Sequence, residues 1–238
     1  MKIFFTILFV YVCLVVQVAS LTYFCDHSAP CGCSRNDAIL NKIVGGEEAI
    51  SSSWGWAVSL RDDGDNHICG GAIISPKYVV TAAHCVSDQN SLSTGMSVAV
   101  GMNRLSESDT VGQVRKVAEI IQHPRYDDST HTNDIAVLRL NSSLDLSISA
   151  SIVRLCLPRI NVTSDIGKYP PDSTPLIAIG WGTLFFGSQN LPNQLQQVTV
   201  NEVPTNDFTC SIYNSQLQFC AGVNGGGKGN LFLKLLET

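Results

Sequence analysis

Past residue 42 the apolar positions come in short runs of roughly four to six residues, rich in Val and Ile. They are Ala57–Leu60, Gly71–Ser75, Tyr78–Thr81, Ser97–Val100, Val117–Gln122, Ile135–Leu140, Pro175–Ile179 and Gln196–Val200. Clusters of Gly, Pro, Asn, Asp and Ser separate them. Runs this short, punctuated this way, predict strands, and their number predicts an all-β sandwich or pair of barrels. Few stretches show a helical period over ten or more residues; a short helix is expected at Asn206–Asn214. The segment Asn161–Pro175, with Pro170, Pro171 and Pro175, reads as a linker between two halves. Residues 21–42 have another texture: Cys25, Cys31 and Cys33 close together, Pro30, and no hydrophobic period. They are predicted to be a tethered leader peptide and not core.

The N-terminus carries a different signal. Lys2 precedes the apolar run Ile3–Val16, and Val18-Ala19-Ser20 supplies small residues where a signal peptidase cuts. The run is shorter than the about 20 residues a membrane span needs. Residues 1–20 are therefore expected to be a secretory signal, and the remaining chain to be secreted, extracellular and without a membrane partner. Composition agrees. The chain has 238 residues, 45% hydrophobic and only 15% charged, so it folds around a core and is not disordered. Its net charge of −5 and lack of a basic stripe argue against a nucleic-acid partner. Nine Cys point to an oxidising compartment. Cys13 leaves with the signal, and an even set remains: Cys25, Cys31, Cys33, Cys69, Cys85, Cys156, Cys210 and Cys220. Asn141-Ser142-Ser143 and Asn161-Val162-Thr163 are glycosylation sequons.

The densest chemistry lies at Thr81-Ala82-Ala83-His84-Cys85, just after the strand-like Tyr78–Val80, with His67-Ile68-Cys69-Gly70-Gly71 upstream. Two His and two Cys this close are one pattern of a zinc site. Secreted Cys are usually oxidised, however, and no CxxC spacing is present, so a Cys69–Cys85 bridge around His84 is the better reading. A lone His is more often structural than catalytic, so His84 needs a partner. One stands at Thr132-Asn133-Asp134-Ile135-Ala136-Val137-Leu138, where Asp134 opens an apolar strand. A carboxylate there is costly to bury unless paired. Set on one nitrogen of a His ring, it fixes the tautomer and stabilises the imidazolium formed when the other nitrogen takes a proton. The bland alternative is an Asp that caps a turn.

Together these pieces resemble a chymotrypsin/trypsin-like serine protease zymogen. The matching segments are Ile43-Val44-Gly45-Gly46, Ser53-Trp54-Gly55-Trp56, Cys69-Gly70-Gly71, Thr81–Cys85, Asn133–Leu138, Cys156-Leu157-Pro158, Gly180-Trp181-Gly182 and Phe219-Cys220-Ala221-Gly222, in family order over residues 43–228. The resemblance implies two antiparallel β-barrels with the site in the cleft between them. It implies His84 as general base and Asp134 as its orienting carboxylate. It implies activation by a trypsin-like protease at Lys42–Ile43, after which the freed Ile43 amino group folds inward. It implies the disulfides Cys69–Cys85 and Cys210–Cys220, with Cys156 holding Cys31 or Cys33 and the other two leader Cys free to pair locally. Leu176 stands where many relatives carry a further Cys. Protein or peptide substrates follow from the family. No cofactor and no required metal are expected, although Glu107, Asp109 and Glu119 lie near a loop that holds calcium in some relatives.

The resemblance stops short of the nucleophile. The family carries it in Gly-Asp-Ser-Gly-Gly-Pro soon after the Cys-Ala-Gly matched at Cys220. Here Val223–Lys228 still fits, and then Gly229–Thr238 follows with no Ser after Ser215. The sequence is therefore expected to lack the nucleophile, the oxyanion-hole donors, the Asp that receives the Ile43 amine and the pocket walls. A second barrel incomplete at its C-terminus, with a divergent tail at 229–238, is expected, and a chain inactive as written. The alternative is a non-catalytic pseudoprotease or decoy binding module.

Overall fold

The computed structural model describes residues 20–26, 28–41, 46–87, 95–107, 112–147, 151–157, 174–184, 188–208, 210–215 and 217–222. The expected signal up to Ala19, the Lys42–Ile43 bond, the Asn161 sequon and the tail from Val223 lie outside the described residues. Twelve strands follow in order: β1 (Ser20–Tyr23), β2 (Ala38–Asn41), β3 (Glu47–Glu48), β4 (Ala57–Arg61), β5 (His67–Ser75), β6 (Tyr78–Thr81), β7 (Ser97–Val100), β8 (Gln113–Gln122), β9 (Ala136–Leu140), β10 (Pro175–Gly180), β11 (Gln196–Val203) and β12 (Cys220–Gly222). Two single-turn 3-10 helices, Ala83–Cys85 and Leu105–Glu107, complete the regular structure among the described residues.

Six strands close into a barrel in the order β4-β5-β6-β9-β8-β7, every neighbour antiparallel. Alternation drives this. Along β9, Ala136, Leu138 and Leu140 point inward while Val137 and Arg139 are half exposed. Leu60, Ile73, Val79, Val98 and Leu138 reach 0% exposure in the shared core. Each such side chain contributes about 1.5–3 kcal/mol. β8 buries both Val117 and Ile120, an odd spacing for a strand. A register shift between Val117 and Glu119 makes that possible by resetting which face the side chains take. Gly71 is required by close packing, since a Cβ there would stand 2.7 Å from the Val80 carbonyl oxygen.

The second half is a four-stranded sheet among the described residues, with β11 paired to β10, β12 and β3. Its own core is small: Val200, Phe219 and Ala221, with Leu176 and Val198 alongside. Trp181, 2% exposed, joins it to the barrel by packing with Ala57, Ala99, Met102 and Leu195. A closed barrel beside a second antiparallel sheet agrees with the expected two-barrel, all-β architecture.

Two expectations need correction. The described residues of Asn206–Asn214 form turns and no helix. Backbone bonds there span three residues, from Asp207 N to Pro204 O and from Cys210 N to Asp207 O, so the helical ladder is never entered. The segment expected to be a leader outside the core is, in its described residues, partly built into it. β1 and β2 pair as a ribbon, and Ala38 and Leu40 are 5% and 1% exposed. Gln197, itself 1% exposed, donates to Ile39 O and Glu47 Oε1 and accepts from Trp54 Nε1. Ser34 Oγ accepts from Gly55 N at 2.8 Å. The apolar stretch Ala38–Leu40 is too short to reveal a period, yet it alternates inward like any strand.

Candidate active site

β6 and β9 are neighbours in the barrel, and their register sets Thr81 opposite Ala136. The residues just after β6 and just before β9 therefore meet at one barrel end, although they lie 50 positions apart in sequence. His84 sits on the 3-10 turn that follows β6. Asp134 precedes β9 and is 7% exposed. Its two oxygens make separate bonds. Oδ1 accepts the His84 backbone N–H at 2.8 Å, and Oδ2 lies 2.8 Å from His84 Nδ1. The first bond fixes where the His84 backbone sits, and the second fixes which way its ring turns. The ring itself is 48% exposed.

Electrostatics follow from this geometry. The Asp134 hydrogen bond, the largest influence, raises the His84 imidazole above its ordinary 6.5, against the opposing effect of partial burial. Asp128 adds a favourable charge. Burial alone would push Asp134 upward. The side-chain and backbone bonds from His84, with the His84 and His131 charges, outweigh it and hold the carboxyl below its usual value. The dyad is thus arranged to hold a proton on the ring when one arrives.

Sequence reasoning missed the neighbours that enclose the ring. His131 stacks on it, centroids 5.8 Å apart and planes 20° from parallel. Its Nδ1 is buried with no hydrogen-bond partner. His131 and Asn133 both take left-handed backbone, φ 50° and 54°. Strain of this kind persists only where surrounding contacts impose it. Here Gln218, 2% exposed, donates to both the Thr130 and His131 carbonyls at 3.0 Å, while Asn133 Nδ2 donates to Arg125 O at 2.8 Å. Tyr126 donates its hydroxyl to Asp128 at 2.8 Å, and burial pushes its phenol up. An Asp-rich turn next to an αL-prone Asn was the available signal for this loop; nothing in the sequence pointed to Gln218.

The disulfides come out as Cys69–Cys85, Cys210–Cys220, Cys31–Cys156 and Cys25–Cys33, so Cys31 is the leader residue on Cys156. The His/Cys cluster at His84 therefore offers no thiolate in this state. Asn141 is exposed. A second Ser–His contact exists, Ser59 Oγ to His67 Nδ1 at 2.8 Å. It is unsuited to nucleophilic chemistry. Ser59 is 0% exposed, and His67 is held below its ordinary value by burial and by Arg61, a guanidinium where a base needs a carboxylate. Among the described residues His84 Nε2 meets the Cys85 sulfur, and no Ser hydroxyl is placed on it.

The family model described as Trypsin matches residues 43–230. Trypsin alpha of Drosophila melanogaster is 38% identical over 189 residues, 77% of this chain and 68% of that protein. Chymotrypsin-C of Bos taurus is 33% identical over 220 residues, 87% of this chain and 76% of that protein. Among solved structures, neuropsin, a serine protease expressed in the limbic system of mouse brain, superposes with a TM-score of 0.64 at 29% identity, over 79% of this chain and 78% of that one. Together with a carboxylate clamped on a histidine at the end of a closed six-stranded barrel, these matches show that the chain belongs to the chymotrypsin/trypsin-like family of serine proteases.

Proposed function

We infer that this chain supplies the proton-handling half of a serine-type endopeptidase acting on proteins or peptides. The observation that carries the reading is the double grip of Asp134 on His84, through the backbone N–H and through Nδ1. With Nδ1 so engaged, Nε2 is the nitrogen left to accept a proton from an attacking hydroxyl and return it to the leaving amine. Asp134 stabilises the imidazolium in between. Secretion, release of residues 1–20, cleavage at Lys42–Ile43 and glycans at Asn141 and Asn161 belong to the same reading. The four disulfides support the secretion part of it, since such bonds persist in an oxidising compartment. No metal is required by this chemistry.

A base without a hydroxyl to deprotonate performs no acyl transfer, and no Ser follows Ser215 in these 238 residues. Backbone oxyanion donors, each worth about 10²–10³ in rate, belong to the same unmatched motif. The 238-residue polypeptide is therefore expected to hydrolyse no peptide, before or after cutting at Lys42. Treatment with trypsin followed by a Ser-directed phosphonate probe is the test: no covalent adduct is expected, and an adduct overturns the assignment. The second reading is a non-catalytic pseudoprotease or decoy binding module. Secreted, monodisperse and protease-resistant protein supports that second reading; aggregation or retention opposes it.

A further inference from the structure

The edge of the His84 ring opposite Asp134 meets sulfur. Nε2 lies 3.5 Å from Cys85 Sγ. A ring nitrogen of His84 and the sulfurs of Cys69 and Cys85 all fall within 4.8 Å of one another. While the disulfide is closed these sulfurs ligate nothing, because the thiolate is the metal ligand. We propose that, once the Cys69–Cys85 bond is reduced, Cys69, Cys85 and His84 form a zinc site with two thiolates and one imidazole, and that Asp134 is its outer-sphere carboxylate.

The chemistry closes. Two molecules of a small thiol of the glutathione class give two electrons and two protons to the disulfide. They leave as their own disulfide, and Cys69 and Cys85 become thiols. A zinc ion then binds both sulfurs as thiolates and Nε2 of the neutral ring, releasing the two thiol protons. No other co-reactant is needed.

The geometry fits. Zinc bonds of about 2.3 Å to sulfur and about 2.0–2.1 Å to nitrogen, at a tetrahedral angle, set sulfur and nitrogen about 3.6 Å apart. The Nε2 to Cys85 separation is 3.5 Å before any metal arrives. The same geometry sets the two sulfurs about 3.8 Å apart, within reach of side chains whose Cα atoms are 6.1 Å apart. Cys69 lies on β5, and Cys85 follows β6. Those strands are paired through Ala72–Val80 and Ile73–Val79, and Thr81 Oγ1 donates to Gly70 O at 2.7 Å. The backbone that presents the ligands is thus held by more than the disulfide. A metal-bound histidine almost always gives its other N–H to a carboxylate, a backbone carbonyl or water, which sets the tautomer and aims the ring. Asp134 Oδ2, 2.8 Å from Nδ1, already stands in that place. The half-exposed ring gives the ion a way in and leaves a fourth coordination position toward solvent.

The site itself is independent of the protease reading. Its consequence rests on that reading: zinc on Nε2 occupies the lone pair a general base uses, so a reduced, zinc-loaded chain has no base. Metal binding needs no nucleophile, so a phosphonate result of either sign leaves this proposal standing or falling on its own test.

That test uses the full 238-residue protein, reduced with a water-soluble phosphine. The phosphine takes oxygen from water, becomes its oxide and leaves no thiol to compete for metal. Cobalt(II) is titrated in as a spectroscopic stand-in, then displaced by zinc. The reduced protein is expected to show thiolate-to-cobalt charge transfer and tetrahedral d–d bands, and the oxidised protein neither. His84→Ala is expected to weaken binding at least tenfold, and Asp134→Asn about 10–100-fold. A Cys210→Ser/Cys220→Ser variant is expected to bind like the parent. Bands of equal strength and affinity in His84→Ala, or in Cys69→Ser/Cys85→Ser, overturn the proposal, as does their absence from the parent. Should reduction loosen the fold, alkylation mapping still decides. Zinc is expected to protect Cys69 and Cys85 in the parent and not in His84→Ala; equal alkylation with and without zinc overturns the site.

Discussion

The two halves of this molecule solve the same problem to different degrees. The first barrel closes on itself through six antiparallel pairings, and its inward residues are buried, several of them fully. The second sheet has β10 half exposed along five of its six residues, and three buried apolar side chains for a core. Among the described residues, closure is the difference. A closed sheet has no unpaired edge and one continuous interior; an open one shares its interior with solvent. The dyad gains from this asymmetry, because both His84 and Asp134 hang from β6 and β9 of the closed barrel. His84 is positioned by the half that is complete among the described residues.

Substitutions can break or sharpen that contrast. The largest effect is expected from Leu138→Ala at the centre of β9, a loss of about 2–5 kcal/mol in urea unfolding. It strips a 0% exposed side chain from the core on which Asp134 is mounted. Gly71→Ala comes next, about 1–3 kcal/mol by overpacking, because its Cβ meets the Val80 carbonyl oxygen at 2.7 Å and β6 must move. Gln218→Ala is expected to cost about 1 kcal/mol and to release the His131 loop, read as broadening of the His131 ring resonances. Leu176→Ala on the half-exposed β10 is the smallest, under about 1 kcal/mol. A Leu176→Ala effect as large as that of Leu138→Ala would erase the contrast.

The dyad also sets a pH signature. His84 has a raised value in the folded state, so its contribution to stability is complete below the ordinary 6.5 and is lost as pH rises through the raised value. Asp134 is lowered, so its contribution is complete above the ordinary 3.8 and is lost as pH falls through the lowered value. Urea midpoints measured across these two windows are expected to fall at both ends, and Asp134→Asn is expected to flatten both falls.

The sequence made the barrel legible because its strands are short runs of four or more residues, rich in Val and Ile, between clear turn formers. Tyr78–Thr81 and Ser97–Val100 emerge with the expected boundaries. β5 and β8 extend earlier than expected because in His67–Gly70 and Gln113–Lys116 the apolar Ile68 and Val114 stand among polar or small residues and make no continuous apolar run. β2, β3 and β12, each two to four residues long, are too short to show a period. The helix expected at Asn206–Asn214 failed because the backbone bonds around it close three-residue turns, from Asp207 N to Pro204 O and from Cys210 N to Asp207 O. At the site, His84 and Asp134 were legible from residue chemistry and family order. The stacking of His131 and the clamp by Gln218 were not, because the first depends on a left-handed loop and the second on hydrogen bonds across 87 and 88 positions.

The central claim is that Asp134 tunes His84 as a base. An NMR pH titration of the His84 ring in the full chain tests it most directly, with Asp134→Asn beside it. The account predicts a midpoint above 6.5 in the parent, with Nδ1 keeping its proton and Nε2 titrating, and a clear downward shift in Asp134→Asn. A parent midpoint at or below 6.5, unmoved by Asp134→Asn, would contradict it.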